Sequence, residues 1–544
     1  DAEQGRAQSS ALLGSRNNAN QATPADGLPP TSNMFLWQPQ AGAAYPPCVD
    51  GDYDMTVVGH EYTHAITNRM IAGPNTGIGS FQGGSMGEAW SDLVAIEYLA
   101  ENNLRAPGDT RFVVGAYVTG NNTTGIRDYD ASRSPLNFSD VGFDLVGPEV
   151  HADGEIWVAT NLRVRDAFVR RYGSGGPDLQ LRCAQGAVPV NACPGNRRWI
   201  QLVFDSFLLQ ADSQVSMVDM RDNLLAADIA RFNGANQDLI WNAFAESGLG
   251  RDAVSGPSDV DPTPSFASPY ADNVTVTLSP KGDAAAAPVR LYVGDYEARA
   301  VPVADTDPAT PIPDTFQIVP GTSFEFTATA PGYGTEKFTQ TFHGKKQNLN
   351  VDMARNLASS ASGATASGDG VNLGKIIDDT ESTDWASLDG VAGKQLTVRL
   401  AGDGPQQVRR VNISALLRPA ITGDADPGSQ NRFSALRSFA ILACDDTVHD
   451  CATDAGYHQV YRSAPDAFPG GAFRPTAPQL NMRSFDFLMT KATHLRLQVL
   501  TSQCTGGPRY AGEQDADPAT TTDCTTGSPF AQQVRVAEFQ AFSH

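Results

Sequence analysis

The spacing of apolar residues changes character along the chain. In the first half it follows a helical period. Val57, Val58, Ala65 and Ile66 recur among polar positions and predict a helix over Met55–Met70. A mostly apolar run predicts a second helix over Gly87–Glu101, after a Gly-rich turn at Gln82-Gly83-Gly84-Ser85-Met86. Trp199–Leu209, Met217–Ala230 and Gln237–Ser247 predict three more, the last closed by Gly248 as C-cap. Ahead of them, Met34-Phe35-Leu36-Trp37 reads as a short strand following a Pro/Asn/Gly-rich loop. The segment Gly256–Ser265 reads as a linker by composition. Past it the period drops to two. Val274–Leu278, Val289–Val293, Phe324–Ala328 and Leu349–Met353 predict a small β-sandwich over residues 270–353. Beyond the Ser/Ala/Gly stretch Ser359–Gly368, strand signals return at Gln395–Leu400, Arg437–Leu442, Leu495–Leu500 and Val534–Phe539, predicting a larger all-β domain over residues 354–544. The expected fold class is multidomain α+β, a mainly helical domain over residues 1–258 followed by two β-sandwich domains.

Composition narrows the setting. A chain of 544 residues exceeds what one hydrophobic core supports. The net charge of −22 argues against nucleic acid or anionic membrane as partners, since both would repel it, and fits an extracellular protein with room for carboxylate-bound calcium. No apolar run approaches the roughly 20 residues that span a bilayer. The chain opens Asp1-Ala2-Glu3-Gln4, with neither the basic end nor the apolar stretch of a signal peptide, so it is either intracellular or read in a processed form. The seven cysteines favour the processed, secreted form. None forms a CxxC, which argues against a zinc knuckle. Three short-range pairs, Cys183 with Cys193, Cys444 with Cys451 and Cys504 with Cys524, are the expected disulfides, free buried thiols being the alternative. Cys48 is left over, either free or paired with a segment absent from this chain.

The sharpest chemical signal is His60-Glu61-Tyr62-Thr63-His64. On a helix the two histidines lie one turn apart on one face and can reach one ion, with Glu61 beside it where a general base for an activated water belongs. Catalytic zinc needs a third protein ligand and an open position. Glu88 can supply that ligand. Asp92, four residues on, can accept the N–H of a liganding imidazole and fix its tautomer. Carboxylates at this spacing ordinarily mark a solvated face. Here the helix around them is apolar (Ala89, Trp90, Leu93, Val94, Ala95, Ile96), and buried carboxylates need partners.

These residues carry a family resemblance. GHEYTHAITNRM followed by GGSMGEAWSD resembles the fungalysin zinc endopeptidases, relatives of thermolysin. The likeness continues through Arg16–Asn20, Thr23–Gly27, Met34–Trp37, Gly125–Tyr129, Val150–Trp157 and Leu239–Gly250, in order, over nearly all of residues 15–255. It implies a thermolysin-like catalytic domain in which His60, His64 and Glu88 bind zinc and Glu61 is the general base. His151 would stabilise the tetrahedral oxyanion, Asn18 and Ala19 would pair with the substrate backbone as an added strand, and Arg127 would hold a substrate carbonyl. Two departures stand out. Thermolysin uses a tyrosine in the loop before its zinc glutamate as a second oxyanion donor, and residues 65–87 contain none. Fungalysins also begin with a propeptide and a β-rich lobe, whereas only 59 residues precede His60. Much of that lobe is therefore expected to be cleaved off, held as a separate fragment, or absent.

The later regions resemble binding modules. Pro320–Phe326 and Pro331–Gly334 are similar to a carboxypeptidase-regulatory-like sandwich, read as a spacer. Asn356-Leu357-Ala358, Ile376–Trp385 and Val536–Phe539 resemble a discoidin-type galactose-binding jelly roll. That resemblance implies a structural calcium, with Asp378, Thr383 and Glu538 as candidate ligands, and cell-surface glycans as a partner class. The expected function is a secreted zinc-dependent metalloendopeptidase acting on proteins or peptides. The alternative is a surface- or glycan-binding protein with an inactive peptidase domain. A zinc aminopeptidase is a third reading, against which stands the lack of a GxMEN-type motif for a free amine.

Overall fold

Asp54 begins the first long helix, α1 (Met55–Met70), by accepting the Thr56 N–H at 3.0 Å, and its other oxygen takes the Tyr117 and Val118 N–H groups. The computed structural model describes residues 17–37, 49–145, 147–426, 431–470, 474–507, 524 and 528–543. The second helix, α2 (Phe81–Glu101), starts six residues before the predicted Gly87. The stretch Gln82–Met86 is helix rather than turn, because Ser80 caps it at Gly83 N and its glycines serve close packing. A Cβ on Gly83 would lie 2.9 Å from Ile78 and one on Gly84 3.0 Å from Val150. Gly59 likewise lets α1 approach α2, where an added Cβ would meet that of Ala95 at 2.9 Å.

After the single turn α3 (Ala116–Thr119), the longest helix, α4 (Val150–Tyr172), crosses α2, and Gly154 abuts the Ser85 carbonyl there. Trp90, Trp157, Phe207 and Phe244 fill the space between these helices and the later ones at Gly195–Leu209, Met217–Phe232 and Gln237–Glu246. Burying each phenylalanine there contributes roughly 1.5–3 kcal/mol. The strand expected over Met34–Trp37 is two. β1 (Ala19–Ala22) pairs with β2 (Thr31–Met34), and Leu36–Trp37 pairs with Val49–Asp50.

The stretch expected to be a linker is docked. Val254 and Thr263 exchange backbone hydrogen bonds at 3.0 Å, and Gln82 N donates to Pro257 O at 3.0 Å. Its prolines and glycines turn the chain against the helical region instead of freeing it.

Residues 274–352 form a sandwich of a four-stranded and a three-stranded sheet. The last region has a five-stranded sheet (365–368, 395–399, 494–502, 436–444, 458–462) facing a three-stranded one (483–492, 406–414, 538–542). The strand signal Val534–Phe539 divides at Ala537, whose N–H leaves for Ser414 O at 2.9 Å. The three expected disulfides are present, and Cys48 lies outside the described residues. Among the described residues no helix is long and apolar enough to cross a membrane.

The regions are not strung loosely. One continuous hydrophobic core runs from the helices into the last β region, with Tyr296 and Ala298 of the middle sandwich among its members. Around it lie buried polar ties. The Tyr129 and Tyr296 hydroxyls meet at 2.5 Å, Arg432 pairs with Asp144 at 2.5 Å, and Arg474 pairs with Asp128 at 3.1 Å. Arg299, from the middle sandwich, donates to Gly142 O and Asp144 O on one side and Leu417 O on the other. The segment read as a spacer thus bonds to both neighbours.

Candidate metal centre and cleft

Helical geometry puts His60 and His64 on the same face of α1, and the α1–α2 crossing brings Glu88 opposite them. Their ligand atoms lie within 4.8 Å of one another, the one such group among the described residues. His60 Nε2 is 3.0 Å from His64 Nε2 and 3.2 Å from Glu88 Oε2, while His64 Nε2 is 3.5 Å from Glu88 Oε1. Both imidazoles therefore turn their Nε2 atoms inward. Their outer nitrogens are held from behind: His60 Nδ1 by Asp92 at 2.7 Å and His64 Nδ1 by the Ser91 hydroxyl at 3.2 Å. Arg127 clamps Asp92 through Nε at 2.7 Å and one terminal nitrogen at 2.9 Å, and that nitrogen also lies 3.5 Å from Glu88.

The electrostatics suit a cation. Burial pushes the His60 imidazolium down, but its bonds to Asp92 and Glu88 outweigh this and lift it to about 10. Burial and the neighbouring His60 charge drop His64 to about 4. Against burial, His60 and His151 hold Glu88 well below the ordinary carboxylate range, and Arg127 and His60 hold Asp92 near 2. The site is thus a pocket of fixed negative charge that grips a proton on His60, and a metal ion competes for the same place. Two imidazoles and one carboxylate, with the remaining side open to a cleft of about 410 Å³, match the donor set of a catalytic metal site.

Asn18, Ala19, Glu61, Arg127 and His151 all line that cleft beside the three donors. Glu61 is nearly buried, and burial raises its carboxyl to about 7 despite the nearby His60 charge. His151, more than half exposed at the mouth, turns Nε2 to within 3.4 Å of Glu88 and gives Nδ1 to Glu149 at 2.6 Å. Arg127 is engaged with Asp92, the support of His60, and with the donor Glu88 more than with open space. Among the described residues no tyrosine lines the cleft. A larger, mainly apolar cavity of about 570 Å³ lies on the other side of α1, lined by Met55, Val58, Tyr62, Ile66 and Tyr98, and holds none of the donors.

Sequence reading missed three supports. Ser91 is three residues after Glu88 on the same helix face and could have been found from helical spacing. Glu149 caps α4 and orients His151, but glutamate is an unusual N-cap. Glu155, on α4, accepts the Asp128 and Tyr129 N–H groups at 2.8 and 3.0 Å, a tie that no local pattern announces.

In the last β region, Asp378 accepts the Thr383 hydroxyl at 3.0 and 2.9 Å, and that hydroxyl also reaches Lys375 O at 3.2 Å. Glu538 is fully buried with neither carboxylate oxygen hydrogen-bonded. Burial and the neighbouring Asp379, Asp378, Glu297 and Glu381 push it well above its ordinary range. A buried, unpartnered carboxyl among acids has the chemistry of a cation ligand.

Residues 2–253 match the family model for Fungalysin metallopeptidase (M36). This region is similar to fungalysin domains. Extracellular metalloproteinase MEP of Fusarium vanettenii is 37% identical over 260 residues, covering 46% of this chain and 38% of that protein. Extracellular metalloproteinase mep of Aspergillus niger is 35% identical over 246 residues, 44% of this chain and 36% of that one. The chain thus spans little more than a third of the length of these relatives. Among solved structures, the CBM32 module of AlyQ covers 33% of this chain and 94% of its own at 17% identity and a TM-score of 0.19. A Paenibacillus chitosan-binding module covers 35% and 98% at 19% identity and a TM-score of 0.21.

Proposed function

We propose that the chain is a secreted zinc metalloendopeptidase that hydrolyses peptide bonds in proteins. The observation that carries this is the convergence of His60, His64 and Glu88 on a cleft that Glu61 and His151 also line. The extracellular names of its fungalysin relatives and the three disulfides support secretion.

Zinc held by His60, His64 and Glu88 would supply a Lewis acid able to activate water at neutral pH. Asp92 accepts the His60 Nδ1–H and the Ser91 hydroxyl pairs with His64 Nδ1, which would leave both Nε2 atoms free to bind the metal. Glu61 takes the proton of the attacking water and returns it to the leaving amine. His151, its Nδ1 held by Glu149, aims Nε2 into the cleft, where negative charge grows on the carbonyl oxygen. Asn18 and Ala19, leading into the strand β1 at the cleft edge, pair with the substrate backbone. Arg127 steadies the carboxylates and lies at the cleft wall, within the space a substrate carbonyl would enter.

The test is cleavage of casein and of N-blocked peptides by this chain. Hydrolysis that stops with a zinc chelator and returns with zinc is the expected result. Cleavage confined to free N-termini, or indifferent to chelator, would overturn the endopeptidase reading.

Calcium at Asp378, Thr383 and Glu538 is the second part of the proposal, supported by the unpartnered Glu538 carboxyl. At 100 times its dissociation constant, calcium adds about 2.7 kcal/mol. Thermal unfolding should therefore shift upward by several degrees with calcium in wild type and not in Glu538→Gln. An equal shift in both would place the ion elsewhere.

A further inference from the structure

Arg127 sits in a backbone segment that three parts of the chain hold at once. Glu155 of α4 takes the N–H groups of Asp128 and Tyr129. The Tyr129 hydroxyl meets Tyr296 of the middle sandwich. From the last β region, a terminal nitrogen of Arg474 donates to Ile126 O at 3.3 Å and to Asp128 Oδ1 at 3.1 Å, bracketing Arg127 on both sides. The Ala477 N–H, three residues on, donates to Asp128 Oδ2 at 3.3 Å. The Arg474–Ala477 stretch is itself anchored: Arg432 donates to Pro475 O at 3.1 Å while pairing with Asp144. A chain of bonds therefore runs from Arg474 through Asp128 to Arg127, and from Arg127 through Asp92 to His60.

We infer that Arg474 is a positioning residue for the metal centre, so that the last β region completes the peptidase site rather than merely trailing it. This rests on the zinc peptidase reading. Both ends of the Arg474–Asp128 pair are substantially buried, with side-chain exposures of 21% and 1%, so the pair is shielded from the screening that makes surface ion pairs weak. Without Arg474, Asp128 loses its paired cation and the Ile126 carbonyl loses a donor. The peptide that aims Arg127 is then free to shift, and with it the orientation of Asp92 behind His60. A simple domain tie would lower the melting temperature and leave folded, metal-loaded molecules fully active. A positioning residue changes metal retention and turnover in molecules that remain folded.

The experiment compares the full chain with Arg474→Ala, Arg474→Lys and, as control, Lys394→Ala, which breaks a surface pair with Asp389. Zinc retention is read by competition with a chromophoric chelator. Turnover number and KM are read on an N-blocked peptide below every melting temperature. Supports of metal ligands are worth about 10–100-fold in metal affinity or activity, and Arg474 acts one step further out. Arg474→Ala should therefore lower kcat about 5–10-fold with KM within about twofold, and release zinc at about tenfold lower chelator. Arg474→Lys should recover part of both, and Lys394→Ala should match wild type. A folded Arg474→Ala with wild-type zinc retention and kcat would overturn the inference. Should that variant melt too early, Asp128→Asn, which keeps an acceptor but removes the charge, is judged by the same criteria. A wild type without chelator-sensitive hydrolysis would sink the peptidase reading alone, since zinc competition still decides the positioning role.

Discussion

Glu61→Gln is expected to lower kcat on casein peptides by about 10²–10⁴, the usual contribution of a positioned acid–base group, while zinc content stays that of wild type. The two effects separate because Glu61 lines the cleft beside His60, His64 and Glu88 without belonging to the donor group. Glutamine keeps the shape and an acceptor oxygen, so the cleft stays formed, but it cannot take a proton from water. Stability should not fall either. Burial disfavours the charged Glu61 carboxyl, raising it to about 7, and a neutral amide removes that strain. Zinc content by atomic absorption, melting temperature and kcat on one preparation check all three. An active Glu61→Gln would move the base elsewhere in the cleft. An inactive variant stripped of zinc would make Glu61 a support of the metal instead of the base.

How much of this was legible beforehand varied with the range of the interactions. The α1 boundaries and the pairing of Glu88 with Asp92 follow from helical spacing, which is local. The start of α2 was misread because Gly83 and Gly84 look like turn residues, whereas their role is to admit Ile78, Val215 and Val150 close to the backbone. The first half of the long helix α4 carries no amphipathic signal because it is buried all round: Ala152 through Leu162 has no exposed face to alternate with. The module ties were beyond any local pattern. Arg474 and Asp128 are 346 residues apart, and Arg432 and Asp144 are 288 apart. Each reads as an ordinary surface charge until the fold buries it. The unpartnered Glu538 carboxyl is likewise visible only once its neighbours are in place.

Arg127→Met is expected to be the most destabilising of these changes and to weaken zinc binding with it. Arg127 is almost fully buried and pairs with Asp92, itself buried. Removing one partner of a buried pair costs about 3–5 kcal/mol because the other charge is left without compensation. The lower end applies here, since His60 still faces Asp92 at 2.7 Å. The pH dependence gives the sharper check. Against burial, Arg127 and His60 hold the Asp92 carboxyl near 2, below its ordinary value of 3.8. A carboxylate depressed in this way contributes stability that is present above the unfolded value and is lost as pH falls through the folded one. Methionine removes the largest of the lowering influences, so the variant's Asp92 takes up a proton at higher pH. Its deficit relative to wild type is then greatest near pH 7 and narrows toward pH 3, where protonation of Asp92 removes the unpaired charge in the variant, while the wild-type ion pair is lost only as pH falls on through about 2. Urea unfolding in excess chelator, so that metal release does not enter, measures this directly. A deficit below about 1 kcal/mol at pH 7, or one constant from pH 7 to pH 3, would mean that Arg127 is not what holds Asp92 ionised behind His60.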